Sequence, residues 1–135
     1  MKKTLLTTLF LAFGVFALHA QDKPATAPAK PNPNGPQFKW EKTVNDFGEI
    51  KQDVPATAEF KFTNVGKEPL IIKDAKATCG CTVPDYSKDP IAPGKSGVIK
   101  ATYNAHNMGQ FEKSVNVTSN VSDDKVELKL KGTVK

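Results

Sequence analysis

Two cysteines, Cys79 and Cys81, stand in the stretch KATCGCTVPDY (residues 76–86) with only Gly80 between them. Thiols at this spacing can form a disulfide, supply two soft ligands to a metal, or pack as small semi-buried hydrophobes. A disulfide across one residue is a poor staple, because the loop it closes is tiny and little unfolded-chain entropy is removed. In an extended strand, positions i and i+2 lie at or beyond bridging distance, so closure there is strained. Gly80 is expected to help by letting the backbone tighten. A strained bond is more easily reduced, which favours thiol–disulfide exchange over a purely structural role. However, dithiol oxidoreductases usually place the attacking thiol at a helix N-terminus, and no window of this chain has helical spacing.

A metal site needs further ligands. Zinc takes four from Cys, His or carboxylate, and copper(I) accepts thiolate and thioether sulfur. Beyond residue 20 the chain has one histidine, His106, and one methionine, Met108, both in AHNMGQ and again two apart. The candidate metal or redox set is therefore Cys79, Cys81, His106 and Met108, with copper or zinc as the ion. His106 could also activate a cysteine, but no orienting acid or oxyanion hole accompanies it, so no catalytic residue is assigned and an enzyme is not expected. Asp123 and Asp124 fall in a polar turn, and no glycine-rich phosphate loop is present. NVT (116–118) and NVS (120–122) fit glycosylation sequons, but the first falls within a strand pattern.

The elements that must hold these residues are strands. From Phe38 onward apolar residues recur with period two: Phe60 and Phe62; Ile99, Ala101 and Tyr103; Phe111, Val115 and Val117; Val126, Leu128 and Leu130. Successive side chains of a strand point to opposite faces, so these runs predict half-buried strands. Turn chemistry separates them. Gly66 is expected to supply a positive backbone angle in NVGKEP, and Pro93 and Gly94 form a Pro-Gly turn in APGKSG. Gly48, Gly80 and Gly109 are further turn or structural positions. About seven antiparallel strands result, near 40–47, 55–64, 69–77, 81–85, 96–103, 110–119 and 125–134. That pattern predicts an all-β fold, an immunoglobulin-like β-sandwich over residues 38–135, with Trp40 packing at its first strand. Two cysteines so close cannot join the two sheets as in antibody domains. In such a sandwich the third strand pairs antiparallel with the sixth. Cys79, Cys81, His106 and Met108 are thereby placed at one end of the sandwich, with the GEIKQD loop.

The segments FGEI, FKFTNVGKEPLII, ATCGCT, IAPGKSGVIKATY and GQFEKSVNVTSN, in this order, resemble the exported bacterial domains of domain-of-unknown-function family 1573. The resemblance covers about residues 42–133. It implies an immunoglobulin-like sandwich similar to major sperm protein-like domains, and it supplies no activity and no role for the Cys-Gly-Cys motif.

The chain opens with MKKTLLTTLFLAFGVFALHAQD. Lys2 and Lys3, the uncharged run Leu5–Leu18 and the small Ala20 read as a secretory signal peptide over 1–20, too short for a transmembrane anchor. No cysteine follows the run, so a lipoprotein is not expected. Residues 21–37 carry five prolines and read as an extended linker able to reach roughly 50 Å. The nineteen basic residues are all lysines among fourteen acids, and the net charge is +5. Without arginine, bidentate contacts to bases or phosphates are impossible, which argues against nucleic-acid binding.

The expected protein is thus exported, periplasmic or secreted. It is a non-catalytic binding module for another protein or a cell-envelope component, with soft-metal or redox handling at the cysteines as the alternative. Mass spectrometry of the exported product should find Gln21 at its N-terminus, and a product that keeps Met1 would contradict the signal assignment.

Overall fold

The computed structural model describes residues 32–135, so the segment read as a signal peptide and most of the proline-rich segment lie outside the described residues. Eight strands follow one another: β1 (Phe38–Trp40), β2 (Val44–Ile50), β3 (Ala56–Asn64), β4 (Ile72–Ala77), β5 (Thr82–Tyr86), β6 (Ser96–Tyr103), β7 (Gly109–Ser119) and β8 (Val126–Val134). They form two four-stranded sheets of order β1-β3-β6-β5 and β2-β8-β7-β4. This is the expected all-β immunoglobulin-like sandwich. Among the described residues there is no helix, and none long and apolar enough to cross a membrane.

The inward faces are those marked by the period-two pattern. Phe60, Phe62, Ile99, Ala101, Tyr103, Val115, Val117, Leu128 and Leu130 are buried in one cluster between the sheets. Their intervening neighbours, such as Lys61, Lys100 and Lys131, are exposed. Burying these side chains between two sheets is the main stabilising term.

Two details differ from the sequence reading. The single first strand is really two, one in each sheet. Phe38 and Trp40 each lie with ring centroids 5.0 Å from Phe62 in the β3 sheet, whereas Phe47 faces Phe111 of β7 at 6.3 Å. The aromatic anchors of the two halves thus belong to different sheets, and the chain crosses between them at Glu41–Thr43. That crossing delivers β2 parallel to β8, so one pair departs from the all-antiparallel expectation. The packed region also begins before Phe38. Gly35 and Pro36, placed in the linker by the sequence reading, are buried against the domain.

The reason lies at Gly66. Its φ is not among the positive values, which occur at Gly48, Gly94 and Gly109, so the expected conformational role is not the one it plays. Instead, a Cβ there would strike the carbonyl of Gly35 and come within 2.7 Å of Pro36 and of the Gln37 nitrogen. Gly66 is small because another backbone lies across it.

Asn64 organises this end. Its fully buried side chain donates from Nδ2 to the carbonyls of Glu68 (2.8 Å) and Ile91 (2.9 Å). Its Oδ1 accepts from the N–H groups of Gln37 (3.2 Å) and Gly66 (3.0 Å). Its own N–H donates to Lys95 and its carbonyl accepts from Gly94. One amide therefore supplies partners to three separate segments. Orphaned backbone groups cost roughly 1–3 kcal/mol each when buried. Asn64→Ala should therefore lower the unfolding free energy by about 3 kcal/mol or more, read from urea midpoints. Asn64→Asp should not rescue it, because a carboxylate cannot donate to the two carbonyls.

Candidate functional site

The cysteines lie at the opposite end, where the chain passes from one sheet to the other. β4 ends at Ala77 in the β7 sheet and β5 begins at Thr82 in the β6 sheet. Residues 78–81 make the corner. The Thr78 N–H donates to Ser114 on the β7 side, and the Cys81 carbonyl accepts from Asn104 on the β6 side. Within the corner the Thr82 N–H donates to the Cys79 carbonyl at 3.4 Å, closing a turn. The turn brings the cysteine α-carbons to 5.3 Å, and a Cys79–Cys81 disulfide joins the sulfurs. An extended strand, assumed in the sequence reading, is not what holds the pair. Gly80 has no left-handed angle and open space around its Cβ position, so nothing here demands glycine. The bridge ties no strand of one sheet directly to the other, as expected, but it braces the corner through which they connect.

The expected pairing of the third and sixth sequence strands is present as β4 with β7, with Ala77 opposite Val115. The shared end is also present. Asp53 donates its N–H to the Ala105 carbonyl (3.0 Å), Gln52 Nε2 donates to the His106 carbonyl (3.0 Å), and the Gln52 N–H donates to Lys135 (2.9 Å). His106 Nδ1 lies 2.6 Å from Asp53 Oδ1. The structure therefore gathers loops 51–55, 78–81 and 104–108. It does not join the four candidate side chains into a ligand set. The sulfurs are bonded to each other, His106 is engaged by Asp53, and the Met108 side chain is 66% exposed. Among the described residues no group of three or more His, Cys, Asp or Glu is placed to hold a metal ion.

Sequence reasoning missed three participants. Asp53 (φ 59°) and Ala105 (φ 55°) both hold left-handed conformations that ordinarily favour glycine, and Ala105 is fully buried. Each costs conformational energy that the interlocked loops repay. Thr82 is 3% exposed, and its hydroxyl lies 4.0 Å from each cysteine sulfur. The sequence reading placed Asp53 at this end within the GEIKQD loop but gave it no role, and no local signal marks Ala105. Thr82 could have been noticed as a hydroxyl on the inward phase of the following strand.

The sheet edges are guarded. On β5, antiparallel alternation turns the backbone groups of Thr82, Pro84 and Tyr86 outward, given that Cys81 is the bonded partner of Asn104. Thr82 spends its N–H on the corner, and Pro84 has none. On β4 the Ala75 N–H is taken by Asp74 Oδ1 (2.9 Å), the Lys73 carbonyl accepts from the Tyr86 hydroxyl, and the register breaks between Ile72 and Asp74. On β2 a bulge separates Asp46 from Glu49, and Asp46 Oδ1 accepts from the Gly48 N–H (2.9 Å). β1 has three residues. Charges, bulges, proline and short length are the standard defences against strand addition. A surface depression of about 560 Å³ beside β2 is lined by Asp46, Glu49, Glu112 and Lys131. Lys131 pairs there with Asp46 at 3.6 Å.

Because the disulfide closes so short a loop, replacing both cysteines should cost little. Chain-entropy scaling gives about 1–2 kcal/mol. Cys79→Ser/Cys81→Ser should remain folded with its urea midpoint lowered by that amount, and a collapse of the fold would contradict the small-loop argument.

Comparison with curated proteins returns no match. Among solved structures the chain is similar to a protein of unknown function from Porphyromonas gingivalis W83, at 17% identity and a TM-score of 0.65, covering 78% of this chain and 50% of that one. It is similar to the ASH/PapD-like domain 7 of human CEP192, at 9% identity and a TM-score of 0.62, covering 99% and 98%. It is also similar to the VesB protease of Vibrio cholerae, at 12% identity and a TM-score of 0.56, covering 72% and 32%. The chain thus spans half the length of the first of these and about a third of the last. At such identities the likeness is one of fold. The family is given by sequence instead: a family model matches residues 38–134, and the chain belongs to the family described as Protein of unknown function (DUF1573).

Proposed function

We propose that this chain is an exported, non-catalytic binding module whose loop end, formed by residues 51–55, 78–83 and 104–108, meets another exported protein or a cell-envelope component. The observation that carries this reading is the construction of that end. Two loops are locked to each other by the Asp53–Ala105 and Gln52–His106 bonds, with two non-glycine residues kept in left-handed conformations. Around this rigid base, Val54 (54%), Val83 (64%) and Met108 (66%) remain exposed. Apolar side chains presented on a pre-organised base lose little entropy on binding. Conformational strain tends to be kept where it serves contact or chemistry.

Strand addition is the other common way for a sandwich to bind a partner. The guarded edges of β1, β2, β4 and β5 disfavour it here. The family supplies no activity, so contact rather than catalysis is the better-supported role.

The test uses the protein in the cells that export it. Tagged chain is cross-linked in place, and its co-purifying partner is identified. Val54→Lys and Met108→Lys should lose that partner by about tenfold or more, as expected for a buried apolar contact. Val65→Lys, at the opposite end of the sandwich and also exposed, should retain it. Equal retention by all three variants would place the contact elsewhere.

A further inference from the structure

We propose that the Cys79–Cys81 disulfide is a thiol–disulfide exchange site that oxidises dithiols of other exported polypeptides. The inference rests on the reading of the chain as exported, since a disulfide persists in an oxidising compartment.

Three observations carry it. First, the bond contributes little as a staple, because one residue separates the cysteines. The corner is already held on both sides by the Thr78–Ser114 and Asn104–Cys81 bonds, so the geometry survives opening of the bridge. Second, Thr82 aims a buried hydroxyl at the sulfurs. It lies 4.0 Å from Cys79 Sγ and 4.0 Å from Cys81 Sγ, and among the described residues these are its hydrogen-bonding partners. A disulfide sulfur is a weak acceptor, whereas a thiolate is a strong one. The hydroxyl therefore gains most when the bond has been broken, and it favours the reduced state and the departing sulfur. This replaces the helix N-terminus on which dithiol oxidoreductases usually rely. Third, exposed apolar side chains share this end of the sandwich with the disulfide. Val83 adjoins Thr82, and Val54 and Met108 share the same end. A cysteine in an apolar stretch of an incompletely folded chain fits such a rim better than a small hydrophilic thiol does.

The step balances without a further reagent. A substrate thiolate attacks one sulfur of the pair; a new S–S bond forms as the Cys79–Cys81 bond breaks, and the released sulfur takes up the proton given up by the substrate. A second substrate thiolate then attacks the substrate sulfur of the mixed disulfide. The substrate leaves as a disulfide, and Cys79 and Cys81 remain as thiols. Two electrons and two protons have passed from substrate to protein.

The purified oxidised protein is mixed with a reduced peptide carrying two cysteines among leucine and valine, with the same peptide flanked by glycine and serine, and with glutathione. Alkylation and mass spectrometry then count thiols on each partner. The apolar dithiol peptide should be oxidised with matching appearance of two thiols on the protein, at least tenfold faster than the glycine–serine peptide or glutathione. Equal rates for all three would overturn the choice of substrate, and no transfer would overturn the site itself. Thr82→Val should make the disulfide about tenfold harder to reduce in equilibrium with a dithiol buffer, about 30 mV more negative, and Thr82→Ser should restore the wild-type value. An unchanged equilibrium in Thr82→Val would remove the hydroxyl from the mechanism. Should that variant fail to fold, peptide oxidation by the wild-type protein decides the matter. Because these assays need neither a cell nor a binding partner, a chain that exchanges but is not exported, or that binds through another surface, gives a different pattern from one that does not exchange.

Discussion

Every passage of the chain between the two sheets leaves backbone groups without a ladder, and a buried group without a partner is costly. The structure depends on meeting that demand at both ends of the sandwich. At one end a single amide, Asn64, serves four backbone groups from three segments. At the other, the Cys79–Thr82 turn and its bonds to Ser114 and Asn104 carry the chain across. The apolar core between the sheets supplies most of the stability, and these two junctions carry the chain into and out of β4. A sandwich with the same core and different junctions would be a different topology.

The strands were legible because alternation is a local signal. Phe60 and Phe62, or Leu128 and Leu130, announce an inward face without reference to anything distant. Junctions are not local. Phe38, Trp40 and Phe47 look like one continuous strand until their partners, Phe62 and Phe111, are known to lie in opposite sheets. Asn64 resembles any polar residue at a strand end, and its role appears only when residues 37, 66, 68 and 91 converge on it. Gly66 illustrates the same limit: glycine in a turn invites a conformational explanation, but here a second backbone needs the space.

The candidate site was legible in its position and not in its chemistry. Pairing the third with the sixth sequence strand placed Cys79, Cys81, His106 and Met108 at one end; in the structure β4 ends opposite Val115, inside β7 rather than at its start, and it is the Asn104–Cys81 bond that joins the loops. Proximity of segments does not fix the direction of side chains. His106 turns to Asp53, Met108 faces outward, and the cysteines find each other through a turn that the extended-strand assumption did not include. Thr82, the hydroxyl nearest the sulfurs, falls on an inward phase where a hydrophobic residue is the ordinary occupant.

The guarded edges have a consequence beyond binding mode. A β-sandwich with open edges is a template for unwanted pairing with other β-proteins. Here Pro84, the Asp46 and Asp74 carboxylates and the β2 and β4 irregularities leave no long run of free donors and acceptors. Such a unit can be crowded, or strung in series with further domains, without seeding fibres. Its surface chemistry is thereby left to the loops.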